Sequence, residues 1–441
     1  MLKDWYADWM IRWETELTTR DENRVVRPVE WGFGWLRDAL PEGMERLAGV
    51  KAASRVQDTG HPAGVGGDGV AGGEVRVGEE SPSQARDGGH LNSGVAEFAE
   101  AEAAMLRVNA AIVGESERFF GYAAPTDYRL ERRYPALFPT NVRPETLAQD
   151  AEWTARAARG ELEAAEFLRF TSPVRTPYPE NDLVNARWYP AAKDKQTGAP
   201  PAKAMIVMPQ WNADAFSHNA LCTMFNRFGV SALRLSKPYH DIRRPAELER
   251  SDYAVSSNIG RTLAAARQAV VDIRCCVDWL YGQGVTQVGV LGTSLGSCYA
   301  FLAAAHDVRI EVCAFNHAST SFGDVVWTGQ STRHIRAGFE AAGLTQERLK
   351  GLWAGISPAH YMERFAATAR ACGRRTLVVH AQYDLTFLER YSLEVLRSFE
   401  QLGVAHEARV LPCGHYTTGE TPYKYIDGWY LGSFVYRAFG G

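Results

Sequence analysis

No stretch of this 441-residue sequence stays apolar for long, and no run approaches the ~18 apolar residues that a membrane-crossing helix needs. The opening MLKDWYADWMIRWETELTT mixes charges with tryptophans and lacks the uninterrupted apolar core of a secretion signal, so a cytoplasmic protein is expected. Charge of one sign is also missing. Lysine and arginine number 48 against 52 aspartates and glutamates, a formal balance of −4 that argues against a nucleic-acid or anionic-membrane surface. Cysteines are few: Cys222, Cys275, Cys276, Cys298, Cys313, Cys372 and Cys413, an odd count without C-x-x-C spacing. In mostly apolar surroundings they read as reduced core residues rather than disulfides or metal ligands. The eleven histidines form no H-E-x-x-H, and neither G-x-G-x-x-G nor a P-loop occurs, so neither a metal nor a nucleotide cofactor is expected.

Large apolar side chains are nearly missing from residues 50–95, which are rich in glycine with serine, aspartate and glutamate. Such a segment cannot bury enough surface to offset its ordering entropy and reads as a flexible insertion. It separates an N-terminal helical arm, 1–49, from a helical extension, 96–165. In the arm, Leu2, Trp5, Trp9, Trp13 and Leu17 recur at helical spacing as an aromatic stripe, opposite Asp4, Asp8, Glu14 and Glu16. That acidic balance is wrong for a lipid surface, which favours packing on the main domain or on a second subunit, making the arm a candidate homo-oligomer contact. In the extension, Phe98, Met105, Val108 and Ile112 suggest a helix closed by Gly114, and Glu145 to Phe167 suggests another.

From about residue 166 the pattern turns to strands. Phe167–Thr171 and Leu183–Tyr189 bracket a Pro-rich turn and look like an antiparallel pair. Ala204–Met208, Ser231–Leu235, Gln287–Leu291, Ile310–Phe315 and Thr376–His380 follow as short apolar runs, and Ala408–Leu411 is the last. Helical or loop sequence separates them, including a largely buried helix over 262–281 and a small-residue helix over 297–305. This is the alternation of an α/β protein with about eight strands, mostly parallel.

At Val288-Gly289-Val290-Leu291-Gly292-Thr293-Ser294-Leu295-Gly296 a β-type run stops at a serine with glycine two residues to either side. This G-x-S-x-G elbow turns a strand sharply into a helix, which forces the serine backbone into strain that only small flanking residues permit. The Leu295 amide then opens a helix, where backbone donors face developing negative charge. A serine hydroxyl at neutral pH needs a base, and the base needs an orienting partner. Asp384 closes TLVVHAQYD, and His415 follows the last strand in Pro412-Cys413-Gly414-His415 before a helix beginning near Pro422. Both sit where loops leave the carboxyl ends of strands.

The order Ser294, Asp384, His415 with the GTSLG elbow and the strand sequence resembles the α/β-hydrolase superfamily over roughly residues 166–437, and the whole chain resembles a subgroup with a long N-terminal arm. The resemblance implies an α/β-hydrolase fold in 166–441, with Ser294 as nucleophile, His415 as general base then acid, and Asp384 as the orienting carboxylate. It also implies an oxyanion hole from the Leu295 amide and one in the loop after Ala204–Met208; by position the second donor is Trp211, with Gln210 as runner-up. That loop lacks the His-Gly of many esterases. His317 at a strand end, and Tyr239, His240, Asp241, Arg243 and Arg244 after Leu235, are candidate pocket residues, the arginine pair for an acidic substrate group or as part of a solvated loop. Residues 320–371 are too many for a simple crossover and read as a cap whose apolar positions, Trp327 among them, could cover an acyl site. The expected activity is hydrolysis of a small or lipid-like carboxylic ester or thioester through an acyl-enzyme. The alternatives are an acyltransferase using the same residues and a non-catalytic binding protein that keeps the fold.

Overall fold

In the computed structural model, residues 2–39, 88–192 and 201–440 are described. Most of the glycine-rich span read as an insertion, 50–87, lies outside them, but its last residues belong to a helix, Gly88–Gly114, that continues N-terminally from the alanine- and glutamate-rich run.

The fold is an α/β-hydrolase fold built on a nine-stranded sheet of order β1-β2-β3-β5-β4-β6-β7-β8-β9. The strands are β1 Arg129–Arg133, β2 Ala165–Thr171, β3 Leu183–Tyr189, β4 Lys203–Met208, β5 Ser231–Leu235, β6 Gln287–Thr293, β7 Ile310–Asn316, β8 Arg375–Ala381 and β9 His406–Leu411. Pairing is antiparallel from β1 through β3 to β5 and parallel from β5 to β9. Eight strands coincide with the apolar runs of the sequence; the ninth, β1, is RLERR, an exposed edge with no apolar alternation to betray it. A second difference lies nearby. The helix expected over Glu145–Phe167 is Pro144–Ala158, and Gly160, at φ +70, reverses the chain so that Phe167 enters β2.

The central strands are buried on both faces, as a parallel sheet between helical layers requires. In β4, Ala204, Ile206 and Met208 face one core while Met205 and Val207 face the other. The first core holds the helices Ile259–Gly282, Leu295–His306 and Met362–Cys372; the second holds Asn219–Arg227 and Tyr423–Ala438. Asn258 starts the long Ile259–Gly282 helix by accepting the Arg261 N–H with its side chain. All seven cysteines are free, six of them buried.

Residues 320–371 split into two parts. Phe322–Thr328, Arg333–Ala341 and Gln346–Leu352 pack on one another above the carboxyl ends of the strands, whereas Met362–Cys372 lies against Leu295–His306 as the crossover to β8. Among the described residues no helix is long and apolar enough to cross a membrane.

The first helix, Leu2–Thr19, docks on this body with only part of its aromatic stripe, Trp13 and Leu17. Trp5 is 60% and Trp9 37% exposed, while Met10, Glu14, Leu17 and Thr18 are buried. The reason is polar. Tyr6 hydrogen-bonds the Pro412 carbonyl and the Tyr423 hydroxyl, Thr18 bonds the Gln330 side chain, and Glu14 finds backbone donors, so the buried face follows these partners.

Candidate active site

Ser294 stands at the turn from β6 into Leu295–His306 with φ 57° and ψ −120°, a backbone conformation that a non-glycine residue adopts only under constraint. The flanking glycines are what the turn demands. A Cβ on Gly292 would sit 2.2 Å from the Gly296 carbonyl oxygen, and one on Gly296 would sit 2.2 Å from that of Met208. The Ser294 N–H donates to the Asn316 carbonyl at 2.7 Å, which ties the elbow to the end of β7.

Ser294 Oγ lies 3.0 Å from His415 Nε2, and His415 Nδ1 lies 2.8 Å from Asp384 Oδ2. The other Asp384 oxygen accepts the N–H groups of Thr386 and Phe387 at 2.7 and 2.6 Å. Burial pushes the Asp384 carboxyl pKa up, but His415 and His317 outweigh it and hold it well below the usual carboxylate range. For His415, burial lowers the pKa while Asp384, then Glu14, raise it; the net shift is upward. His317 enters the same cluster, its Nδ1 3.0 Å from Asp384 Oδ2, and its pKa is lowered by burial and then by His415. Among the described residues, His317, Asp384 and His415 are the group of side chains whose donor atoms could converge on a cation. Those atoms already pair with one another, and the remaining His415 nitrogen faces Ser294.

The loop after β4 borders the serine. No protein acceptor among the described residues takes the N–H groups of Gln210, Trp211 or Leu295, while the Gln210 and Asn212 carbonyls of the loop are held by donors. Lys237 Nζ donates to the Gln210 carbonyl at 2.9 Å, and Thr140 Oγ1 to the Asn212 carbonyl at 2.8 Å. His240 accepts the Asn212 N–H at 3.2 Å while its other nitrogen meets the Pro238 carbonyl at 2.8 Å. The Trp211 indole donates to the Ser251 carbonyl at 3.0 Å, which fixes its ring against His334. Burial, and then Arg234, push the Lys237 ammonium well below the usual lysine range.

A cavity of about 1010 Å³ opens over Ser294. Gln210, Trp211, Leu295, His317 and His415 line it, with Leu221, Phe322, Val325, Val326, Phe387 and Trp429 as apolar wall. Six of the seven pocket candidates, Tyr239, His240, Asp241, Arg243, Arg244 and Trp327, do not line it. Tyr239, His240 and Arg243 are fully buried, because the segment after β5 folds under the β4 loop, where His240 and Arg243 find hydrogen-bond partners within the protein. Arg243 pairs with Asp272 at 2.9 Å and donates to the Asn181 and Ser236 carbonyls, so it is neither in a solvated loop nor free for an acidic substrate group. Arg244 donates to the Pro139 carbonyl. Trp327 packs into the main core, and its helix instead presents Phe322, Val325 and Val326 to the cavity. Sequence reasoning missed Lys237, His218 and Asp427. His218, half-buried by surface exposure but with its pKa lowered to about 3 by desolvation, meets the Thr293 hydroxyl at 2.9 Å. A signal was available for Lys237 alone, a lysine at a strand end three residues before a histidine.

No protein-family model matches the chain, and no curated protein matches it. Solved structures with a similar fold include the Pyrococcus horikoshii acylaminoacyl peptidase, at 11% identity and TM-score 0.46 over 63% of this chain and 46% of that one. The chain therefore spans under half of that peptidase's length. An acetyl xylan esterase from Paenibacillus sp. R4 aligns at 12% identity and TM-score 0.47 over 74% of this chain and 92% of its own. A 2,6-dihydroxy-pseudo-oxynicotine hydrolase aligns at 11% identity and TM-score 0.45 over 79% and 84%.

Proposed function

We propose that the protein is a serine hydrolase that cleaves a carboxylic ester or thioester through an acyl-enzyme. The observation that carries this reading is the continuous relay from Ser294 Oγ to His415 Nε2 at 3.0 Å and from His415 Nδ1 to Asp384 Oδ2 at 2.8 Å. In this reading His415 takes the Ser294 proton as the oxygen attacks the substrate carbonyl, and the resulting imidazolium is stabilised by Asp384. The tetrahedral oxyanion is held by the Leu295 N–H and by that of Trp211 or Gln210. His415 then protonates the departing alcohol or thiol, and in the second half it deprotonates the water that releases the acid. The apolar wall of Phe322, Val325, Val326 and Phe387 suits a hydrophobic acyl group.

A fluorophosphonate probe tests the assignment. The wild-type protein is expected to be labelled at Ser294, Ser294→Ala not at all, and His415→Ala far more slowly. Equal labelling of the three proteins, or attachment at another residue, would sink it.

A further inference from the structure

Glu14 is a charged residue with no exposed surface, 401 positions before the histidine it borders. Its carboxylate accepts the Tyr416 N–H at 2.8 and 3.0 Å, the Thr417 N–H at 2.9 Å and the Thr417 hydroxyl at 3.1 Å. It lies so close to the chain that a Cβ on Gly414 would fall 2.3 Å from Glu14 Oε2. The same helix grips the other side of His415, where the Tyr6 hydroxyl meets the Pro412 carbonyl. Residues 412–417 are thus held from both flanks by one helix, and His415 is the residue between the grips. Desolvating a carboxylate is expensive unless strong donors replace water; burial raises the Glu14 pKa, and the backbone amides of Tyr416 and Thr417 offset that rise in part.

We propose that Glu14 is a positioning residue of the site: the Leu2–Thr19 helix delivers its carboxylate to the His415 loop, fixing the imidazole over Ser294 and adding a second negative charge that faces it. The titratable groups around His415 are Asp384 and His317 after β8 and β7, Ser294 at the elbow, Glu14 on the first helix, and Tyr416 next in the chain. Of these, Asp384 and Glu14 favour the imidazolium. Removing the Glu14 charge therefore makes His415 a weaker base. Its loss also frees two buried N–H groups and lets the loop shift, and misplacement by about 1 Å can cost ~10²-fold in rate.

The experiment compares wild type, Glu14→Gln and, as control, Glu16→Gln on the exposed side of the same helix. His415 is titrated by NMR with histidine-selective labelling, and kcat and KM for a p-nitrophenyl ester are measured across pH. In Glu14→Gln the His415 titration midpoint is expected to fall by about half a pH unit or more, and kcat by about tenfold or more with KM little changed. Glu16→Gln should match wild type in both. A Glu14→Gln protein with the wild-type midpoint and kcat overturns the proposal. Should that variant not fold, Thr417→Val removes the hydroxyl that donates to Glu14 and accepts the Gly414 N–H, and an unchanged kcat together with an unchanged His415 midpoint there overturns it equally. The kinetic arm rests on the serine-hydrolase reading, whose failure shows as absent labelling of wild-type Ser294; the His415 titration tests Glu14 in either case.

Discussion

His317 and His415 meet on one oxygen of Asp384, with their Nδ1 atoms 3.0 and 2.8 Å from Oδ2 and their rings 4.4 Å apart. Two imidazolium ions cannot share that space cheaply, so His317 stays neutral while His415 takes the proton, in keeping with the opposite directions of their pKa shifts. The arrangement separates two roles that residue type alone cannot. Only His415 reaches Ser294.

Replacement of each histidine by glutamine checks that separation. His415→Gln should lose about 10³-fold or more of kcat/KM on a short p-nitrophenyl ester, as expected for removal of a general base. His317→Gln leaves the relay in place, keeps a donor near Asp384, and should lose about tenfold or less. Equal losses would mean that His317 is itself part of the proton relay.

Lys237→Met tests how the loop after β4, the proposed source of oxyanion donors, is held. The substitution keeps the apolar stem and removes the ammonium that binds the Gln210 carbonyl at 2.9 Å. With only the Ala213 N–H, at 3.2 Å, left on that carbonyl, the neighbouring N–H groups are less firmly aimed, and removing such a donor arrangement typically costs about 2.7–4 kcal/mol. Because Lys237 acts one bond away, a smaller fall in kcat, about 10- to 100-fold, is expected, with KM almost unchanged. Wild-type kcat in this variant would remove the Gln210–Trp211 amides from the mechanism.

Asp427 supplies a pH test of stability. One of its oxygens accepts the Asn316 amide at 2.9 Å, the other is buried without a partner, and burial raises its pKa to about 7. A carboxyl whose folded pKa lies above its unfolded one binds an extra proton in the folded state, so the stability it brings is present at low pH and lost as pH rises toward 7. Asp427→Asn removes that dependence. Thermal unfolding should show the variant gaining on wild type between pH 5 and pH 8, and parallel melting curves across that range would contradict the assignment.

The parts of the molecule that could be read in advance are those whose signal is local. The elbow is a pentapeptide, and the positions of Asp384 and His415 follow from where strands end, so Ser294, Asp384 and His415 could be named together before their distances were known. The buried strands announce themselves as apolar runs, whereas β1 does not, because an edge strand of arginines, a leucine and a glutamate has no face to hide. The misplaced residues share another cause. Tyr239, His240 and Arg243 follow a strand as Asp384 does, but the Tyr239 N–H bonds Asn181, Arg243 bonds Asn181 and Asp272, and His240 bonds the β4 loop, which pulls the segment inward. The helical pattern puts Glu14 opposite the aromatic stripe and says nothing of its burial, because its partners lie some 400 residues away and nothing adjacent to it in sequence records that they exist.

The unmatched side of β1 has a bearing on how the protein behaves at high concentration. An open strand edge offers unpaired amides and carbonyls to any other chain, and here it is the outermost strand that carries Arg129, Glu131, Arg132 and Arg133. A second copy approaching in register would bring like charges together along the whole edge. The residues that concealed this strand from the apolar pattern thereby guard the sheet against growing into an aggregate.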